Sequence, residues 1–183
     1  DFGRRLLADE NTAIFITNRR DLAGLPPGIV EQLAAAAAER GHAGQWAVVN
    51  TRSSVEPFLT YADRRELRQK VWQMFVDRGD HGGPTDNNAN IAKILQLRAQ
   101  RAKLLGFPTH AHWRLENSMA KTPERAMALM EAVWTPAVAR VHEEVADMQA
   151  IADKEGAGIK IEPWDYRYYA EKVRKAKYDL DET

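Results

Sequence analysis

The chain is 183 residues long, with 26 Lys and Arg against 26 Asp and Glu, 44% hydrophobic residues and no cysteine. Zero formal charge argues against non-specific nucleic-acid binding, which needs a surplus of cations to displace counterions. The absence of cysteine excludes disulfides, iron–sulfur clusters and cysteine-based zinc sites, and no run of 18 apolar residues is available to span a membrane.

Asp1 to about Asn18 carries Phe2, Leu6, Leu7, Ala13, Ile14 and Thr17 close to a helical stripe. Leu25-Pro26-Pro27-Gly28 breaks it, and Pro27 opens a helix to about residue 40, stopped by Gly41. Gln45 to Thr51 is β-prone. With Val55-Glu56-Pro57-Phe58-Leu59 it reads as a small strand or extended hairpin. Asp63 and Glu66 form a capping-box pair ahead of Leu67, Val71, Trp72, Met74 and Phe75. Asp80 to Asp86 has the chemistry of a surface loop. A helix begins at Asn87 or Asn88 and stops at Gly106, and a short one follows from Thr109. Thr122-Pro123-Glu124 starts a helical pattern that reaches Glu155, with a kink or break expected at Thr135-Pro136. Gly156-Ala157-Gly158 ends it, Ile159-Lys160-Ile161 alternates as a second short strand would, and a last helix begins near Pro163 or Asp165. The fold class is therefore mainly α: a multi-helix assembly with one small extended pair and no internal repeat, read as a single helical segment over residues 1–183.

The search for chemistry returns no assembled site. A zinc peptidase helix needs two histidines four residues apart with a glutamate beside the first. His142-Glu143-Glu144-Val145-Ala146 has alanine at the second ligand position, so His142 and Glu143 read as helix-surface residues. His110 and His112 would share a face only on a strand, and their surroundings read as helix. Gly79-Asp80-His81-Gly82-Gly83 lacks the Gly-Lys-Ser/Thr ending of a phosphate loop. The carboxylate pairs Glu143/Glu144 and Asp179/Asp181 are what a helix surface ordinarily carries. Trp164-Asp165-Tyr166-Arg167-Tyr168-Tyr169 is the densest aromatic cluster and reads as packing ahead of ligand binding. The run Lys172 to Lys177, flanked by Glu171, Asp179, Asp181 and Glu182, reads as a salt-bridged face. Arg98, Arg101 and Lys103 with that run supply the weaker reading of an RNA-binding helical protein, which neutral charge disfavours. No catalytic, cofactor-binding or metal-ligating residue is assigned.

The ordered series of segments carries more. Leu22-Ala23-Gly24-Leu25-Pro26, Pro57 to Arg68, Asp86-Asn87, Ile91, Ile94 to Arg98, Ala102 to Phe107 and Met119 to Pro123 all resemble the zinc metallopeptidases of the thimet oligopeptidase family. Pro163 to Arg174, continuing through Lys177 to Glu182, is the most specific stretch and is most similar to the bacterial peptidyl-dipeptidase branch, with the oligopeptidase A branch next. The resemblance implies a helical fold whose two halves enclose a narrow channel admitting short peptides. It implies zinc in a parent enzyme, on a His-Glu-x-x-His helix C-terminal to these residues, and none in this fragment. Both ends look cut, so the chain reads as an internal fragment N-terminal to the catalytic domain, inactive alone. Its expected partners are short peptide substrates, the missing catalytic half and, through exposed apolar patches around the closing helix, itself. Nucleic acid and membrane are not expected. The implied compartment is the cytoplasm, with the periplasm left open. A non-catalytic scaffold or peptide-binding module is the competing reading.

Overall fold

The computed structural model describes residues 1–178 and is predominantly helical, with one two-stranded antiparallel sheet. The elements in order are α1 (Phe2–Glu10), β1 (Ala13–Ile16), a 3-10 turn (Arg19–Leu22), α2 (Pro27–Glu39), β2 (Trp46–Val49), α3 (Arg52–Tyr61), α4 (Arg65–Val76), α5 (Asn88–Leu104), α6 (His110–Leu115), α7 (Pro123–Lys154) and α8 (Tyr166–Tyr178). They fall into two compact units. One joins residues 1–2 to Asn87–Glu143, and the other joins Gly3–Asp86 to the residues from Glu144 onward.

In the larger unit, β1 pairs with β2 in the register Ala13↔Val49 to Ile16↔Trp46, and α2 connects the two strands. Ile16, Leu22, Leu33, Val48, Val55, Phe58, Leu59, Ala62 and Val71 form the main buried cluster. Met148, Ala152 and Tyr169 form a second, flanked by Ile151, Ile159, Ile161 and Val173. Gly24 is required where it stands. Its φ is +86°, and a Cβ there would lie 2.2 Å from the Tyr61 carbonyl oxygen and 2.6 Å from Asp63 Oδ1. The smaller unit holds α5, α6 and α7 as far as Glu143, and neither buried cluster includes any of its residues.

Five expectations are corrected. The first helix ends at Glu10, because Ile14, Phe15 and Ile16 are β-branched or aromatic and pair with β2. Val55 to Leu59 is not extended: Val55, Phe58, Leu59 and Ala62 bury one face at i, i+3, i+4 and i+7, and α3 carries Pro57 within it. The Asp63–Glu66 capping box does not form. Arg64 caps α4 without a side-chain bond, and the Asp63 carboxylate accepts from the Tyr168 hydroxyl at 2.9 Å. Ile159–Ile161 is not a strand. The Gln149 amide meets that backbone instead, donating to the Ile159 carbonyl at 2.8 Å and accepting from the Ile161 N–H at 3.0 Å. Of the kink or break expected at Thr135-Pro136, the break does not occur: α7 is helical throughout its 32 residues.

Candidate functional site

Arg65 and Arg68 stand three residues apart on α4, so their guanidiniums project from one face. Asp165 precedes α8, where its backbone carbonyl accepts from the Tyr169 N–H at 3.0 Å. The Asp165 side chain is fully buried and that of Arg68 nearly so. Arg68 Nη2 donates to Asp165 Oδ1 at 2.8 Å, and its remaining donors reach the Ala62 (2.8 Å), Asp63 (3.1 Å) and Trp164 (3.3 Å) carbonyls. Arg65 closes on the same carboxylate, with Nε 3.1 Å from both oxygens and Nη2 2.8 Å from Oδ2. The Glu162 N–H adds a fifth bond at 3.2 Å.

Aromatic rings wall this core. Arg68 lies over the Tyr168 ring at 4.1 Å, and Trp72 meets Trp164 edge-on at 5.6 Å. Lys172 lies 4.5 Å from the Tyr168 ring and donates to both Glu155 oxygens at 2.8 Å. Hydrogen bonding to Asp165 raises the Arg65 guanidinium above its ordinary value. Burial, reinforced by the bond to Asp63, pushes the Tyr168 phenol up. Burial opposes the charge on Lys172, but Glu155 and Tyr168 outweigh it and raise the ammonium. Both Asp165 oxygens are occupied by donors, which leaves the carboxylate no lone pair directed at a substrate. The arrangement is a clamp between α4 and α8, with no nucleophile or free base. The aromatic cluster seen in the sequence thus serves packing. Its arginine partners were missed, although two arginines at i, i+3 ahead of an apolar stripe are a legible signal.

A second cluster gathers on Asp9, which is buried on α1. Its Oδ2 accepts from the Gly79 N–H at 2.6 Å and lies 2.9 Å from His81 Nε2, which in turn is 3.2 Å from Thr85 Oγ1. Burial pushes the Asp9 carboxyl up, but bonds from Thr85, Gly79 and His81 outweigh it and hold the pKa below its usual value. The bond to Asp9 raises the His81 imidazole against a smaller effect of desolvation. The Gly79–Gly83 segment is thus a loop folded around a carboxylate.

The remaining candidates stay apart. His142 and Glu143 are exposed on α7, and Glu143 pairs with Arg140 at 2.8 Å. His110 and His112 lie on α6. His112 Nδ1 meets Thr109 Oγ1 at 2.8 Å, and the buried His110 Nδ1 has no hydrogen-bond partner. Arg174 pairs with Glu171, one of the flanking acids the sequence offers, whereas Lys172 and Lys177 reach Glu155 and Asp147 of the α7 stretch instead. Asp179, Asp181 and Glu182 lie outside the described residues. Zinc takes about four donors, three of them from protein in catalytic sites. Among the described residues no three His, Cys, Asp or Glu side chains are grouped to hold a metal ion, so these residues do not fit a zinc site. None of the described helices is long and apolar enough to cross a membrane.

The model of Peptidase family M3 matches residues 58–183. The chain is 35% identical over 183 residues to the dipeptidyl carboxypeptidase of Escherichia coli K12, covering 100% of this chain and 27% of that protein. It is 34% identical over 179 residues to the probable cytosolic oligopeptidase A of Arabidopsis thaliana, covering 91% of this chain and 25% of the relative. It is 29% identical over 171 residues to oligopeptidase A of Salmonella typhimurium, again 91% of this chain and 25% of the relative. The chain therefore spans about a quarter of the length of these curated relatives.

Proposed function

The chain belongs to peptidase family M3, and from that premise we propose that it is a non-catalytic helical part of a zinc metallopeptidase that releases C-terminal dipeptides from short peptides. Its helices wall the substrate channel and seat against the part of the parent that holds the zinc. The observation that carries this reading is the contrast between the two units. Gly3–Asp86 with the residues from Glu144 bury two apolar clusters, whereas α5, α7 as far as Glu143 and the α6–α7 connection leave large side chains open, among them Leu95 (57%), Leu104 (87%), Met119 (95%) and Trp134 (70%). Surface of that kind is built to be covered by more protein. In the 183-residue chain by itself this surface, rather than the closing helix, whose Tyr168 and Tyr169 are packed against Arg68 and Met148, drives self-association.

Peptidyl-dipeptidase activity is preferred to the endopeptidase activity of an oligopeptidase A because the identity to the dipeptidyl carboxypeptidase extends over the whole chain. The proposed compartment is the cytoplasm. The test compares the full-length gene product with the 183-residue chain, using an N-blocked peptide and metal analysis. The parent is expected to bind zinc and release C-terminal dipeptides, and the chain alone to do neither. Stoichiometric zinc and dipeptide release by the chain alone would overturn the proposal. Cleavage by the parent only at internal bonds would move it to the oligopeptidase A type.

A further inference from the structure

The loop between α4 and α5 is fastened to α1 at two places that differ in chemistry. At its far end the Arg5 guanidinium donates to the Asp86 carbonyl, a bond that does not titrate near neutrality. At its near end the bonds converge on the Asp9 carboxylate, which accepts from the Gly79 N–H at 2.6 Å and lies 2.9 Å from His81 Nε2. Asp9 is buried, whereas the His81 side chain is 41% exposed. The carboxylate is thus sealed in the fold while its histidine partner exchanges protons with water.

The charged groups around this pair come from three elements. On α1, Glu10 is engaged by Arg78 at 3.3 Å, and Arg78, just past α4, also lies over the Phe75 ring at 4.1 Å. Asp77, at the end of α4, accepts from the Gln73 side chain at 2.9 Å. In the loop itself stand Asp80 and Asp86, the Asp86 carboxylate accepting from the Gly82 N–H at 3.0 Å. From the β2 side comes the neutral Asn50, whose amide donates to the Asp9 carbonyl at 3.2 Å. Of all these groups His81 is the one whose charge changes between about pH 5 and 8. The imidazolium donates from both ring nitrogens and opposes the charge of Asp9; the neutral ring keeps one donor and no charge. The buried carboxylate then rests on neutral donors, among them the Gly79 N–H and Thr85. Gly82 and Gly83 have φ of +71° and +89° with nothing within 4 Å of a Cβ, so the backbone is free to turn there.

We propose that residues 79–85 form a proton-operated strap, closed on α1 while His81 is charged and swung open about the Arg5–Asp86 bond once His81 loses its proton. A rise in pH through neutrality thereby uncovers the Asp9 carboxylate and the Gly79 N–H. The opening is local, because the main buried cluster contains no residue of α1 or of this loop and stays packed when the strap lifts.

Hydrogen exchange of the 183-residue chain, followed by two-dimensional NMR across the neutral range and divided by the intrinsic exchange rate at each pH, reads the strap directly at the Gly79 N–H. Gly79 is expected to open about fivefold more above the His81 titration than below it, the difference between a charge-assisted and a neutral hydrogen bond. The midpoint should match that of the His81 ring protons in the same spectra. The Phe58 N–H, within α3, should keep its protection throughout. His81→Gln should hold Gly79 at its high-pH level at every pH, whereas His42→Gln, which alters a ring stacked on Phe15, should leave the dependence intact. Circular dichroism checks that each variant keeps its helicity. Gly79 protection that ignores pH, a dependence that survives in His81→Gln, or a loss shared equally by Phe58 would each overturn the proposal. The readout is exchange, independent of zinc and of any hydrolysis.

Discussion

Removing the Asp165 carboxylate should unfold the clamp between α4 and α8, and the structure indicates how strongly. Arg65 is about one-third exposed and can turn to water when its partner goes, whereas the Arg68 side chain is 2% exposed and cannot. In Asp165→Ala, Arg68 keeps its three carbonyl acceptors but becomes a buried charge without a counter-ion. Breaking such a pair from one side costs about 3–5 kcal/mol, and the surviving carbonyl bonds place this case near the lower end, about 3 kcal/mol. Asp165→Asn retains an acceptor oxygen but not the charge, so about half that loss is expected. With a urea dependence of about 1–3 kcal/mol per molar, the Asp165→Ala midpoint should fall by roughly 1–3 M. Tryptophan fluorescence is the natural assay, since Trp72 and Trp164 pack edge to face beside the clamp. Pairing Asp165→Ala with Arg68→Met removes the stranded charge, so the double variant should be at least about 2 kcal/mol more stable than the sum of the singles implies. A midpoint shift below about 0.5 M for Asp165→Ala, or strict additivity in the double variant, would refute the reasoning.

Gly24→Ala combines a positive φ with a Cβ only 2.2 Å from a backbone oxygen, so a loss of about 2–4 kcal/mol is expected in thermal melts. Gly41→Ala, with a similar φ of +81° and nothing within 4 Å, should lose only about 1–2 kcal/mol, which separates strain from overlap. The Asp9–His81 pair carries a pH signature. The raised His81 pKa contributes stability that is complete below the ordinary imidazole value and is lost as pH rises through the raised one. The lowered Asp9 pKa contributes stability that is complete above the ordinary carboxylate value and is lost as pH falls through the lowered one. Melting temperature should therefore benefit most between roughly pH 4 and 6.5, and His81→Gln should flatten the alkaline limb. An unchanged alkaline limb in that variant would remove His81 from the account. Self-association of the 183-residue chain should weaken in Met130→Glu with Trp134→Ser, read by light scattering, because both side chains are open on α7 (54% and 70% exposed). A mass that does not fall would move the contact to another surface.

Much of the fold was legible because local chemistry and tertiary context agree. Pro27 at the start of α2, Gly41 after it, Thr109 accepting from the His112 N–H at α6 and Pro123 opening α7 each act within a few residues. The misreadings fall where a distant partner decides. Ile14–Ile16 is amphipathic at either period, and pairing with β2, some 30 residues on, selects the strand. Ile159–Ile161 alternates as a strand would, but Gln149 ten to twelve residues away takes its backbone bonds. The clamp was half legible. The aromatic cluster stood out by composition and Arg65 and Arg68 were open to reading from their spacing, whereas which carboxylate they meet, 97 residues on from Arg68, leaves no local trace.

α7 shows the same limit within one element. Met130, Trp134, Ala137, Val141, Val145, Met148 and Ala152 follow one another at steps of three or four, a single apolar stripe by sequence. Met148 and Ala152 are buried, against Tyr169 and the flanking Ile151 and Ile159, whereas Trp134 is 70% and Val141 44% exposed. Nothing in the side chains distinguishes the two stretches; what differs is the covering chain. In the open stretch, burial contributes little, and the helix rests on the propensity of its many alanines, which persists across Pro136 at the cost of one backbone bond. An apolar stripe where intrinsic propensity alone suffices adds little to helix formation and is left available for contact. That is why the open face of α7 is better read as a surface for further protein than as a device for making the helix.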